Sequence, residues 1–341
     1  MTTDIMGLRF AVMSVSRPRH LHLDVGVVTG LLSAAAFGTS GAFATSLLRA
    51  GWTPGAAVAA RLVIAALALS GPALRQLRSR PGALRRSWKT VVFYGLVPIA
   101  GCQLCYFQAV QHLSVAVALL LEYSGTLMVV GWMWARHHQR PSRITAAGAA
   151  AAIAGLVLVL DLIGDHHLSS VGVLWGLGAA VGLAVYFVVS ARHDEGRLPA
   201  LAVAWGGLSV GAVAMLVAGA AGVVRLRAPH TTVVLAHTRV SWLVPLLGIG
   251  LLAAAFAYVA GIAAARALGP RLASFVGLVE VLFATIYAWL LLGQKLTTTQ
   301  LGGGALVVVG IALVRIGESA PAAEKETATE PVAPEAALTS P

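Results

Sequence analysis

The stretch VGVVTGLLSA at residues 25–34 returns as VGVLWGLGAA at residues 171–180, with six of ten positions identical. A second echo runs at an offset of 155, where Leu113, Trp134, Gln139, Gly148 and Gly155 meet Leu268, Trp289, Gln294, Gly303 and Gly310. Both copies are predominantly apolar. A hydrophobic unit written twice is the sequence mark of transporter folds, whose halves are structural repeats.

The composition around the echo sets the class. Apolar residues make up 58% of the chain and charged residues 11%, against about 25% charged in a soluble domain. A membrane span needs roughly 20 apolar residues. Ten stretches qualify: 25–48, 54–74, 90–111, 114–134, 143–161, 170–190, 199–222, 241–264, 271–292 and 297–315. They are apolar on all sides, whereas barrel strands alternate over segments of ~10 residues, so helices are expected. The expected fold is an all-α integral membrane protein of ten transmembrane helices.

The net charge of +11 is laid out for a membrane, not for nucleic acid. With residues 1–24 inside, cytoplasmic segments hold 18 of the 24 Lys and Arg; outside segments hold Arg49, Arg225, Arg227, Arg239 and Lys295, and Arg61 lies in a span. This positive-inside bias puts both termini in the cytoplasm of a multi-pass plasma-membrane (cell inner membrane) protein. Each half, 25–161 and 170–315, then has five spans. Five is odd, so the second half starts on the opposite side and the two five-helix repeats are inverted. Inverted halves can exchange roles, which is the physical basis of alternating access around a midplane site. Residues 1–24 do not read as a cleaved signal, because Arg9 interrupts their apolar stretch. Residues 318–341, rich in Ala, Pro, Glu and Thr, read as a disordered cytoplasmic tail.

Small residues read mainly as packing. Gly172/Gly176, Gly178/Gly182 and Gly207/Gly211 are GxxxG pairs, the spacing that lets helices approach closely in lipid. Cys102 and Cys105, one turn apart, read as small packing residues rather than a redox pair. Trp132, Trp134 and Trp242 read as interface anchors.

Only Glu122 and Glu280 among the carboxylates lie deep in spans, and no histidine does. Buried charges at a helix centre cost ~2.5–3.5 kcal/mol on insertion scales, so such residues face a cavity or a partner. Both glutamates fall near the midplane of equivalent spans. Glu280 aligns with Gly125, so Glu122 sits about one turn from the symmetric position. They read as proton carriers or anchors for a cationic group, or as a structural pair with Arg61. Polar neighbours that could line a path are Tyr123, Ser124, Gln103, Tyr106, Ser40, Tyr186 and Tyr258. Thr29, Ser33 and Ser40 share a stripe of the first span.

The segments LLLEYSGTLMVVGWMW at 119–134, LASFVGLVEVLFATIYAWLLLGQ at 272–294 and the final glycine-rich LGGGALVVVGIALV resemble the drug/metabolite transporter superfamily, specifically its EamA-type ten-helix members. The resemblance covers roughly residues 25–315. Family members often carry a proline at the positions of Gly125 and Glu280 and a glutamate at that of Gln294, features this chain lacks. The resemblance implies a secondary transporter that exports or imports small metabolites such as amino acids or related compounds through a central cavity, read here as an exporter, with proton coupling compatible with it. Expected partners are a small-molecule substrate and the lipid bilayer, the chain being a monomer or homodimer. No cofactor, metal site or ATP-binding loop is indicated. Two other classes are weighed: a membrane sensor or assembly protein, for which the short loops leave little surface, and an intramembrane enzyme, for which the site constellation is missing.

Overall fold

The computed structural model describes residues 19–112, 115–137, 141–159, 169–191, 198–236, 238–293 and 297–327. They are nearly all helical. The first half runs α1 (Arg19–Arg49), α2 (Pro54–Arg78), a short α3 (Ala83–Arg86), α4 (Trp88–Tyr94), a π-helical segment Gly95–Gly101, α5 (Cys102–His112), α6 (Val115–Tyr123), α7 (Gly125–His137) and α8 (Arg143–Val159). The second half runs α9 (Ser170–Ser190), α10 (Ala200–Ala220), strands β1 (Val233–Leu235) and β2 (Thr238–Val240), α11 (Leu243–Leu247), a second π-helical segment Gly248–Phe256, α12 (Ala257–Gly277), α13 (Val279–Leu292) and α14 (Thr298–Thr327).

Among the described residues, six stretches are long and apolar enough to cross a membrane: Asp24–Arg49, Pro54–Arg78, Trp88–Ala109, Ser170–Ser190, Ala200–Ala220 and Leu243–Gly277. Three shorter apolar helices accompany them, Arg143–Leu158, Val279–Leu291 and Leu301–Val314. Leu174, Val217, Leu301 and Val308 stand exposed on outer faces, an arrangement that lipid favours and water does not. Leu243–Gly277 is two helices in space. Gly269 has φ 78° and ψ 166°, a conformation essentially reserved for glycine, and Pro270 follows with no N–H to continue the ladder. The stretches 241–264 and 271–292 are therefore parted by a two-residue break rather than a loop.

The halves share their irregularities as well as their sequence. Adding the offset of 155 to 95 and 101 gives 250 and 256, inside the second π-helical segment. Both glutamate-bearing spans tighten within one residue of equivalent points. In the first half, Ser124 N donates to Leu121 O at 3.2 Å and Leu127 N to Ser124 O at 2.9 Å. In the second, Leu278 N donates to Phe275 O at 3.0 Å and Val281 N to Leu278 O at 3.1 Å. All four bonds span three residues, the tight 3₁₀ pattern. Neither break contains a proline. Gly125 lies so close to the Ala180 carbonyl that a Cβ there would collide with it.

Contacts between halves are reciprocal. α1 packs on α12 and α13, and α9 packs on α5, α6 and α7. α2 packs on α10, with Trp205 Nε1 donating to Ser70 Oγ at 3.0 Å. α8 and α14 make the most extensive helix contact. A Cβ on Gly148 would lie 2.7 Å from the Gly310 carbonyl, and one on Gly155 2.6 Å from the Gly303 carbonyl. Numbers rise along α8 as they fall along α14, so the pair is antiparallel, and the offset of 155 maps each contact onto the other. The GxxxG pair Gly178/Gly182 receives Cys105 and Cys102, respectively; here the cysteines are packing residues opposite glycines.

The segment between α10 and α11 read in sequence as a loop with three arginines; here it carries a β-hairpin, with Val233 opposite Val240 and Leu235 opposite Thr238. It joins several elements. Thr53 N donates to Arg227 O at 2.9 Å, Trp52 Nε1 to Pro229 O at 2.9 Å, and Ala236 N to Leu291 O at 2.9 Å. Trp242 lies 5.8 Å from the Trp52 ring and 4.8 Å from the His230 ring. At the other end of the chain, α14 continues to Thr327, so the first ten residues of the expected disordered tail are helical. Residues 1–18 and 328–341 lie outside the described residues, as do Leu113, Gln139 and Gln294.

Candidate functional site

A cavity opens where the two glutamate-bearing spans meet α1, α5 and α9. It gives about 80 Å³ to the centres of water molecules, room for several waters at the ~10–15 Å³ each requires. Its walls come from both halves. The first half supplies Ser33 and Phe37 of α1, Pro98 of the π-helical segment, Cys102 and Gln103 of α5, and Glu122 and Tyr123 of α6. The second supplies Leu183, Tyr186 and Phe187 of α9, Tyr258, Gly261 and Val276 of α12, and Glu280 of α13.

Local structure explains why these side chains converge. Glu122 is the last residue but one of α6 and Glu280 is in the first turn of α13. Each flanks its break, so a turn of each helix is set off its neighbour and aims its carboxyl inward. The Sγ of Cys102 lies 3.4 Å from both Glu122 Oε1 and the Ala179 carbonyl. One S–H serves one of them at a time and is a weak donor. Tyr123 donates its hydroxyl to the Glu280 carboxyl. Among the described residues these are the only hydrogen bonds to the two carboxyls, which keep most of their acceptor capacity for whatever enters.

One wall is aromatic. Phe37 meets Tyr258 edge-on at 5.0 Å, Tyr258 meets Tyr186 at 5.9 Å, and Tyr186 meets Phe187 at 5.1 Å and Tyr94 at 6.0 Å. Tyr94 is anchored outside the cavity by its hydroxyl, 2.7 Å from Ser190 Oγ. The Tyr186 hydroxyl is buried without a partner among the described residues. A Cβ on Gly261 would strike it, so the missing side chain at 261 makes the space that the hydroxyl enters.

Arg61 stands behind this wall. It is 4% exposed. Its Nη1 donates to Ser40 Oγ and to Gln103 Oε1, both at 3.2 Å, and its Nη2 to the Ala253 carbonyl at 3.2 Å. Its Nε has no partner among the described residues, and it forms no ion pair with either glutamate. The sequence reading of a bridge between Arg61 and a glutamate is replaced by one in which Arg61 ties α1, α5 and the second π-helical segment together.

Of the ten residues singled out from sequence, Gln103, Glu122, Tyr123, Tyr186, Tyr258 and Glu280 line the cavity. Arg61 and Ser40 reach it only through Gln103. Ser124 turns its Oγ back to the Leu121 carbonyl at 2.6 Å, and Tyr106 packs edge-on against Phe107 at 5.4 Å. Sequence reasoning did not assign Phe37, Cys102 or Gly261 to a site. Cys102 adjoins Gln103, which was the available signal. Gly261 and Phe37 carry none, since apolar residues in apolar spans look alike. Ser33, read only as part of a stripe, donates to the Ala257 carbonyl at 2.8 Å inside the cavity wall.

The sequence profile described as "EamA-like transporter family" matches residues 24–161 and again residues 170–316. No curated protein matches the chain. A crystal structure of a protein 21% identical to this chain superposes with a TM-score of 0.67, covering 87% of this chain and 98% of that one. That likeness is one of fold.

Proposed function

The chain belongs to the EamA-like transporter family, and on that premise we propose that it is a secondary active exporter of small metabolites, such as amino acids or related compounds, working by alternating access and coupled to protons through Glu122 and Glu280. The observation that carries the reading is the meeting of two carboxyls, one from each half, in one cavity beside helix breaks. Discontinuous helices at the repeat interface are where such transporters bind their solutes. The proposal includes ten spans in two inverted repeats, both termini in the cytoplasm and a plasma-membrane location. The reciprocal packing and the antiparallel α8–α14 pair support that arrangement.

Flux in proteoliposomes tests it, with a panel of small metabolites, with and without an imposed pH gradient, for the wild-type chain and Glu122→Gln. Gradient-driven flux is expected in the wild type and a loss of about tenfold or more in the variant, in the range that one proton-transfer group contributes. Flux indifferent to both the gradient and the substitution overturns the role of Glu122.

A further inference from the structure

We infer that the cavity selects organic monocations, protonated amines on an apolar or aromatic body, over zwitterions and neutral solutes of the same shape, which narrows the proposed class of small metabolites to amines related to amino acids rather than amino acids themselves. This rests on the transport reading only for the destination of the ligand, since binding itself follows from the cavity wall.

The argument begins with charge. The described residues lining the cavity include two carboxyls and no Lys, Arg or His. The nearest base, Arg61, is not a wall residue, and its Nη atoms are committed to Ser40, Gln103 and Ala253. A substrate carboxylate would therefore find no base in the wall itself, and beyond the wall only one positive charge, Arg61, already opposed by two carboxyls, so that it would lose its water without a counter-charge of its own, which is expensive for a buried anion. An ammonium group meets the opposite situation. Each glutamate has one hydrogen-bond donor and spare lone pairs, so N–H donors are what the wall lacks. Counting Arg61 with Glu122 and Glu280, the ionised cluster is one positive charge short, the charge of a monocation.

The second argument comes from the uncharged wall. The Tyr186 hydroxyl is more than nine-tenths buried, points into the cavity beside Ser33 and Gly261, and has no partner among the described residues. A buried hydroxyl left unsatisfied is costly, and an ammonium N–H satisfies it. Its ring and those of Phe37 and Tyr258 form a contiguous aromatic surface. Aromatic faces attract cations within about 6 Å of their centroids and are indifferent to anions at best.

Binding to the purified full-length chain in detergent, by calorimetry and ligand-induced thermal shift, tests this with three probes of one shape: phenethylamine, phenylalanine and 2-phenylethanol. The amine is expected to bind at least tenfold more tightly than either of the others. Tyr186→Phe and Glu280→Gln, each checked for a monodisperse, cooperatively unfolding protein, are expected to narrow that gap by about threefold and tenfold. Phenylalanine binding as tightly as the amine, the alcohol matching it, or no preference among the three in the wild type overturns the inference without relying on any variant. The transport reading fails separately. Amine binding with no flux of any solute in proteoliposomes removes transport and leaves the selectivity, whereas gradient-driven flux of zwitterions without amine binding does the reverse.

Discussion

Arg61 shows how a single buried residue can be visible in a sequence while its role is not. A lone base in a span announces itself by cost, and so do Glu122 and Glu280. The obvious partnership, opposite charges neutralising each other, is not the one made. The guanidinium serves Ser40, Gln103 and the Ala253 carbonyl instead, because a fork of donors suits several acceptors at once. Arg61→Met should strand those acceptors and lower stability by about 1–3 kcal/mol, the cost of a buried group left unsatisfied. Arg61→Lys should recover only part of it, since one ammonium lacks the fork. Thermal unfolding in detergent reads both, and an unchanged midpoint for Arg61→Met would remove the tie among α1, α5 and the π-helical segment.

At the scale of elements, the length of the apolar runs located most helices to within a few residues. It could not locate the irregularities, for a physical reason. A 3₁₀ turn at Ser124 or Leu278 and a π turn at 95–101 change which carbonyl an amide reaches, not which residues are apolar. The hairpin at 233–240 was hidden too, because strands of three residues are too short for alternation to register. The Gly269–Pro270 break is the exception, since both residues punctuate helices openly. Gly269→Ala should cost about 1–3 kcal/mol, as φ 78° with ψ 166° excludes a Cβ. Circular dichroism melts would show the shift, and a substitution without effect would mean that the break relaxes elsewhere.

For the whole molecule, duplication was legible from residues 25–34 and 171–180, and the reciprocal packing of the halves follows from it. What lies outside the duplication was not legible. The hairpin has no counterpart among the described residues of the first half, and it fastens the α1–α2 turn to the end of α13 on the face away from the α12 break. Thr53 and Arg227 are joined by three hydrogen bonds, Thr53 N to Arg227 O at 2.9 Å, Arg227 N to Thr53 Oγ1 at 3.0 Å and Thr53 Oγ1 to Arg227 O at 3.4 Å. With Cys102 and Cys105 replaced by alanine, Thr53→Cys with Arg227→Cys should form a disulfide that holds this face shut. Flux should then fall by about tenfold or more on oxidation and return on reduction; oxidised protein with full flux would show that this face does not open during the cycle.

The glutamates do not occupy matching places, one preceding its break and the other following it. Two faithful copies exchanging roles would give a device that reads the same from either side of the bilayer, with equal energies facing in and facing out. The offset of about one turn denies it that equality. In the proposed cycle it would have a resting orientation, and a solute would meet one affinity on arrival and another on departure. On that reading duplication supplies the means of turning over, and the small departure from duplication gives the turning a preferred side.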